Sequence, residues 1–357
     1  MIGKNNSINS KFLFFFISAI IFSASYFFKD YKVFLYYVLS LIASLVTSRK
    51  GLQLIKKYNL LQKIKEEGPR EHKQKENTPT MGGIFFIPIF LIIILICDIG
   101  IPLLKGTLLI TIFTFFLIGL IDDYLSIKKK TNLGLMSQEK IIMQTLTAII
   151  FTIFLHYLGL LNNSILLNGN QIINVKHFII PISVITIVGL SNAINLTDGL
   201  DGLAIGCSAI SFCSLGVEIL FKNNSDYIIF SLLCFALSGL CMGFLKFNQY
   251  PARVFMGDTG SLCLGAILGI FCVITNSFFT TFFISTIFII ETMSVITQVS
   301  IFKITKYFYK KGKRVFLMAP IHHHYELKGI KEQNIVGNFW LINIIASILG
   351  IVLKNSF

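Results

Sequence analysis

Thr107-Leu-Leu-Ile-Thr-Ile-Phe-Thr-Phe-Phe-Leu-Ile-Gly-Leu-Ile121 carries no charge, and Asp122-Asp123 follows it directly. A helix crosses a bilayer core with about 20 apolar residues, within a range near 17–25. Similar runs recur at about 12–28, 33–48, 84–104, 141–161, 178–194, 203–221, 227–246, 261–276, 278–302 and 334–353. They predict an all-α polytopic membrane protein with about ten transmembrane helices. Only Lys29-Asp-Tyr-Lys32 separates the first two runs. Residues 12–28 follow Lys4 and Lys11 as a signal sequence would, but lack a clear small-residue cleavage site, so they read as a retained segment. Residues 1–32 are a variable N-terminal segment of one integral membrane domain covering 1–357. No internal repeat is evident.

Composition agrees. The 357 residues are 54% hydrophobic and only 13% charged, against about 25% charged in soluble domains. With 35 Phe the chain is also far from the low hydrophobicity of disordered segments. Seven Cys lie in apolar stretches with no CxxC pair; they read as small buried hydrophobes rather than a disulfide framework or zinc ribbon.

The net charge of +14 sits in loops. If every run from 84 onward crosses once, loops 49–83, 122–140, 195–202, 247–260 and 303–333 share one side. With Lys246 at a border they hold 23 of the 31 basic residues, and the opposite loops with Lys29 and Lys32 hold five. The positive-inside rule makes the first set cytoplasmic.

The unusual motifs fall in that set. Asp122-Asp123 closes the run 107–121, at the unfavourable negative end of a helix dipole. Such a pair suits Mg2+ or acid–base work, or a solvated loop start beside Lys128–Lys130. In Asn195-Leu-Thr-Asp198-Gly-Leu-Asp201-Gly202 the two Asp share a face if the turn is helical; the plainer reading is that Asp198 caps the next helix. Phe255-Met-Gly-Asp258-Thr-Gly-Ser261 places Asp258 as an N-cap, or as a carboxylate holding a metal that bridges phosphate. No Gly-Lys-Ser/Thr follows, so this is not a Walker loop. Thr78-Pro79 reads as an N-cap with Pro in the first turn, and Gly82-Gly83 as a point of close packing or ligand approach. His322-His-His324 does not fit zinc and suits hydrogen bonding to phosphates. Glu291 is an intramembrane carboxylate, functional or paired between helices.

Together, and in order, five stretches resemble the phospho-N-acetylmuramoyl-pentapeptide transferase (MraY) family of the polyprenyl-phosphate N-acetylhexosamine-1-phosphate transferases. They are Lys75-Glu-Asn-Thr-Pro-Thr-Met-Gly-Gly83, Asp122-Asp-Tyr124, Asn195–Leu203, Pro251-Ala-Arg-Val-Phe-Met-Gly-Asp-Thr-Gly-Ser-Leu262 and Ile321-His-His-His-Tyr-Glu-Leu-Lys-Gly329. The resemblance implies ten transmembrane helices with an active-site cleft at the cytoplasmic face, external termini, a homodimer and a multi-pass protein of the bacterial inner membrane. Ten spans remain if residues 12–28 make no crossing of their own. It also implies transfer of phospho-MurNAc-pentapeptide from UDP-MurNAc-pentapeptide to undecaprenyl phosphate, giving lipid I and UMP for peptidoglycan, with Mg2+ as cofactor.

By the same resemblance Asp258 is a Mg2+ ligand, and Asp122 and Asp123 are base and metal or phosphate contacts. Asn195, Asp198 and Phe255 match the nucleotide pocket, and Asp201 the same motif. Lys75, Lys140 and His322 match positions near the diphosphate, His322 being counted with the catalytic Asp residues; His323, His324 and Gln298 line the same cleft. Asn77 and Ser126 depart from the family pattern of Gly and Lys. Nucleic acid is not expected as a partner. The rivals are a sister transferase of GlcNAc-1-phosphate and, in another class, a transporter.

Overall fold

The computed structural model describes residues 8–57, 78–129, 134–167 and 171–356. Among these, the helices are α1 (Ser10–Phe27), α2 (Tyr31–Lys57), α3 (Ile87–Ile96), α4 (Pro102–Lys129), α5 (Ser137–Tyr157), α6 (Ile179–Thr197) and α7 (Leu203–Phe221). They continue as α8 (Ile228–Asn248), α9 (Gly257–Thr275), α10 (Phe278–Ile284), α11 (Thr286–Tyr309), α12 (Ile321–Leu327) and α13 (Glu332–Asn355). Ten are long and apolar enough to cross a membrane: α1, α2, α4 to α9, α11 and α13.

The number agrees with the sequence expectation, but the membership differs. Residues 84–104 do not form one helix. A 3-10 turn over Gly82–Phe85 leads into α3, which stops at Ile96. Asp98 accepts the N–H of Gly100, which has φ +78°, and Pro102 then starts α4. Pro lacks an N–H to continue a helix but suits its first turn. Residues 12–27, in contrast, lie in α1, a helix of 18 residues. Ser10 at its start hydrogen-bonds Gln249 just past α8, and Phe28 just past its end packs edge-on against Phe221, the last residue of α7 (centroids 5.3 Å). Pairings of Ser18 with Tyr37 and Phe22 with Phe34 set α1 antiparallel to α2. The topology of 12–28, open in the sequence, is thus a helix of its own, with the start of α1 level with the end of α8 and opposite the end of α13, where Lys354 donates to the Leu167 carbonyl; the two do not lie on one side, as external termini would.

Helices α7, α8 and α9 form the centre, with 89% of each apolar window buried, while α1, α5 and α11 bury only a stripe. Their outward faces carry exposed Phe, Ile and Leu such as Phe15, Ile150 and Ile296, as lipid-facing surfaces do. Two pairs of glycines four apart let backbones meet. Gly239 and Gly243 of α8 face Tyr37, Leu41 and Ser44 of α2, and Gly265 and Gly269 of α9 face Leu190 and Ile187 of α6. A Cβ at Gly265 would lie 2.2 Å from the Leu190 carbonyl. Small residues of this spacing are a route to tight helix contact where lipid removes the hydrophobic drive.

Three further details depart from expectation. The run 278–302 breaks at Ser285 into α10 and α11, and α11 then continues to Tyr309, so the loop 303–333 is shorter than expected and contains α12. A two-stranded antiparallel hairpin, β1 (Ser164–Leu166) and β2 (Ile172–Asn174), adds a small sheet to the all-α fold. Asn276 holds it by donating to the Ser164 carbonyl at 2.8 Å. All seven Cys are free and buried, as expected.

Candidate active site

The site is built where α4, α6 and α8 approach one end of the bundle and α7 and α9 begin. Asp122 and Asp123 do not close a helix. No breaker follows them, and α4 runs on to Lys129, ending with Lys128 and Lys129 in its last turn, where cations suit the dipole. The Asp pair therefore sits inside a helix. Both residues are buried, at 7% and 8% exposure. Neighbours on a helix point about 100° apart, so the two carboxylates serve different elements.

Asp123 turns to α9. It accepts the N–H groups of Asp258 (3.1 Å) and Thr259 (2.9 Å) and the Thr259 hydroxyl (2.6 Å). These N–H groups are helix-start donors without an intrahelical partner. The reading of Asp258 as the N-cap of this helix does not hold. Instead Asp258 lies within its first turn, and Asp123 provides the cap from another helix. Two glycines allow this approach. Gly257 has φ +72° and a Cβ there would meet Asp123 Oδ2 at 2.5 Å; a Cβ on Gly119 would lie 2.2 Å from the Asp258 carbonyl oxygen.

Freed from capping, the Asp258 carboxylate faces its neighbours across the site. Lys140 Nζ donates to its Oδ2 at 2.6 Å, and Asn195 Nδ2 to its Oδ1 at 2.7 Å. Lys140 also lies 3.4 Å from Asp122 Oδ1, which accepts the Leu135 N–H at 2.8 Å. Carboxylate oxygens of Asp122, Asp123 and Asp258 all lie within 4.8 Å of one another. Three hard oxygen donors fit Mg2+ in kind, and the Lys140 ammonium already marks the place as one that attracts a cation.

The Asn195–Gly202 motif divides in two. Asp198 follows the last turn of α6 and accepts the Gly257 N–H, which turns it toward the cluster. Burial, then the charges of Asp258, Asp123 and Asp201, push its carboxyl up to about 8. It does not cap α7; Gly202, with φ +82°, occupies that position. Asp201 turns elsewhere. Its carboxylate accepts the Ala252 N–H at 2.9 Å, and its own N–H donates to Glu332 at 2.7 Å. Asn248 accepts the Gly202 N–H and donates to the Val254 carbonyl. Thus Asp201 and Asn248 join the loop after α6 to the loop before α9, and Glu332 ties the first of these to the start of α13.

The Thr78–Gly83 stretch is not a helix start. Phe255 N–H donates to the Pro79 carbonyl at 2.7 Å, Gly82 N–H to the Phe255 carbonyl at 2.9 Å and Gly83 N–H to the Met256 carbonyl at 3.0 Å. This short ladder leaves the Phe255 side chain half-buried beside the cluster. Lys75 and Asn77 lie outside the described residues. Ser126 is half-buried on α4, and Lys129 donates to the Gly134 carbonyl at 2.9 Å.

The three histidines separate. His322 is fully buried; its Nδ1 lies 3.0 Å from the buried Glu291 Oε2, and a Cβ on Gly199 would meet its Nε2 at 2.3 Å. His323 pairs with Glu326 at 2.7 Å. His324 accepts the Leu317 N–H, and Gln298 clamps the backbone of Val315 and Phe316.

Similarity to known proteins settles the family. Residues 106–276 match the family described as Glycosyl transferase family 4, and residues 75–87 match the Phospho-N-acetylmuramoyl-pentapeptide-transferase signature 1. The chain is 53% identical over 355 residues to a Phospho-N-acetylmuramoyl-pentapeptide-transferase of Prochlorococcus marinus (strain MIT 9215), covering 99% of each. It is 37% identical over 319 residues to that of Synechococcus sp. (strain CC9605), covering 89% of this chain and 91% of the other.

The chain belongs to the phospho-N-acetylmuramoyl-pentapeptide transferase family.

In this transferase the structure brings together Asp122, Asp123, Asp258, Lys140, Asn195 and Asp198. It sets Asp201, Gln298, His323 and His324 into contacts that hold loops. Thr259, which donates to Asp123, and Ser261, which accepts from Asn195, lay in plain view within the Met256–Ser261 motif. Asn248 and Glu332 were missed, and nothing local in their sequence marks them.

Proposed function

We propose that this transferase moves phospho-MurNAc-pentapeptide from UDP-MurNAc-pentapeptide to undecaprenyl phosphate, at the cytoplasmic face of the bacterial inner membrane. An oxygen of the lipid phosphate attacks the sugar-bearing β-phosphorus. The bond from that phosphorus to the bridging oxygen breaks, UMP leaves, and lipid I stays in the bilayer. The observation that carries the reading is the cluster of Asp122, Asp123, Asp258, Lys140 and Asn195 at one end of the spanning helices.

The barrier is largely repulsion between an anionic nucleophile and a diphosphate, so positioning and positive charge do most of the work. Asp258, Asp122 and Asp123 would hold Mg2+, which when bound neutralises phosphate charge. Lys140, already 2.6 Å from Asp258, carries three N–H donors and can turn one to a diphosphate oxygen. Both oxygens of Asp123 also accept hydrogen bonds from the start of α9, so beside facing the metal it positions Asp258. Asp122 is then the better acceptor for the last proton of the lipid phosphate. Asp198 and Phe255 flank the nucleotide, with Lys75 on the phosphate side. His322, pressed on Gly199, supports the loop that carries Asp198, and His323, His324 and Gln298 shape the rim.

The lipid substrate has a path. An apolar groove of about 310 Å3 runs between α6, α10 and α11, lined by Leu190, Ala193, Phe278, Thr281 and Met293 among others. It reaches Ala193, two residues before Asn195. The charge bias of the loops supports the cytoplasmic face, and the family resemblance supports a homodimer.

The test is UMP release by the purified chain with undecaprenyl phosphate. Mg2+-dependent release from UDP-MurNAc-pentapeptide is expected, with none after chelation by EDTA. Release from UDP-GlcNAc alone would assign the sister activity, and flux without turnover a transporter. A phospho-enzyme trapped without the lipid acceptor would replace direct attack by a two-step route.

A further inference from the structure

A second groove, of about 400 Å3, opens between α1, α2 and α8 and shares no lining residue with the groove along α6. Its size falls within the range of about 300–1,000 Å3 usual for ligand pockets. Its walls are apolar: Phe14 and Phe15 from α1, Leu41 and Leu45 from α2, Met242 and Leu245 from α8. Its rim is polar and cationic. Lys11 lies in the first turn of α1 and Lys246 in the last turn of α8, both exposed, and Gln249 and Ser10 complete the rim. No Asp or Glu lines it.

This is an amphipathic receptor. Lys11 and Lys246 lie at the ends of two apolar helices, at the same end of the bundle as the active site. The apolar walls run inward from there along three spanning helices. A neutral occupant would not answer the two cations, and a soluble anion would not answer the walls. The shape of the opening follows from α1, whose buried stripe of Leu13, Ile17, Ile21 and Ala24 packs inward and leaves Phe14 and Phe15 to overhang the gap.

We propose that this groove binds an anionic glycerophospholipid of the bilayer, its phosphate between Lys11 and Lys246 and an acyl chain along Phe14, Leu41 and Met242. The lipid ties α1 to α8. The end of α8 carries Asn248, which holds Gly202 and Val254 of the two site loops, so the lipid braces the frame of the active site without touching it.

Native mass spectrometry of the full chain in detergent tests this, with phosphatidylglycerol and phosphatidylcholine of identical acyl chains as probes. Phosphatidylglycerol should be retained over phosphatidylcholine. The double variant K11Q/K246Q should weaken its binding by about thirtyfold and leave phosphatidylcholine unchanged. Its lipid-free thermal transition should match the parent, showing an intact fold. Equal retention of the two lipids, or undiminished phosphatidylglycerol binding by the double variant, would overturn the proposal. So would loss, in that variant, of undecaprenyl phosphate binding alone, which would give the groove to the substrate lipid.

Discussion

Asp123 accepts both the N–H and the hydroxyl of Thr259, at 2.9 and 2.6 Å, so a carboxylate inside α4 caps the start of α9. The contact joins residues 136 apart in the chain. It releases the Asp258 side chain from capping and aims it into the site. Removing the cap should therefore cost both stability and chemistry. Asp123→Ala is expected to destabilise the protein by about 1–2 kcal/mol, read as a lower thermal transition in detergent, and to abolish UMP release. Asp123→Asn should melt closer to the parent yet lose turnover by about a hundredfold or more.

Asp258 meets Lys140 and Asn195 and has no role in closing α9. Asp258→Asn keeps the shape and the Asn195 contact through its carbonyl oxygen. It should insert and fold with a near-parental melting curve while losing nearly all Mg2+-dependent turnover. Full turnover in this variant would remove Asp258 from the proposed metal site.

Lys140 bridges Asp258 and Asp122 and is the cation nearest the cluster among the described residues. Lys140→Gln should raise the KM for the UDP-sugar by about tenfold or more, the usual loss for one hydrogen bond to a charged group. Steady-state kinetics with varied UDP-MurNAc-pentapeptide reads it. An unchanged KM with unchanged turnover would place the diphosphate elsewhere.

Asp201 belongs to the site motif but holds Ala252 and Glu332. Asp201→Ala leaves the Ala252 N–H without its acceptor, a loss of about 1–3 kcal/mol. The variant should melt lower, and addition of UDP-MurNAc-pentapeptide should restore part of the lost stability. A variant that melts like the parent but does not turn over would instead make Asp201 a direct substrate contact.

Asp198 titrates late, at about 8 in the folded protein because of burial and neighbouring acids, against about 3.9 in an unfolded chain. Between these values the folded state holds a proton that the unfolded state has lost, so its contribution to stability falls as pH rises. That contribution is complete below about pH 4 and gone above about pH 8. Thermal melts in EDTA from pH 5 to pH 8 should show a steeper decline for the parent than for Asp198→Asn. Parallel curves would refute the assignment.

Much of this was legible in the chain. The apolar runs located the spans, because partition into lipid depends on local composition. The charge bias located the basic loops, and the motifs named most of the residues that gather at one end of the bundle. The errors came where one residue decides continuity. Pro102 and Gly100 broke the run 84–104, while nothing stopped α4 at Ile121, so Asp122 and Asp123 moved from a helix end to a helix interior. The capping readings, which stood beside functional ones, failed for a related reason. Asp198 and Asp258 both stand where a local cap would stand, but Gly202 and Asp123 took those positions through backbone freedom and a distant helix.

The sequence by itself determined the membrane class, the approximate spans, the loops that carry the basic residues and the family of the protein. Those properties follow from hydropathy, charge and short motifs, which are local. Tertiary structure alone decided that Asp123 caps α9, that Asp201 and His322 support loops, and that α1 is a helix of its own and opens a cationic groove. Those depend on how closely helices approach, which small residues such as Gly119, Gly257 and Gly265 permit. No pattern along one segment states which backbone will lie against it.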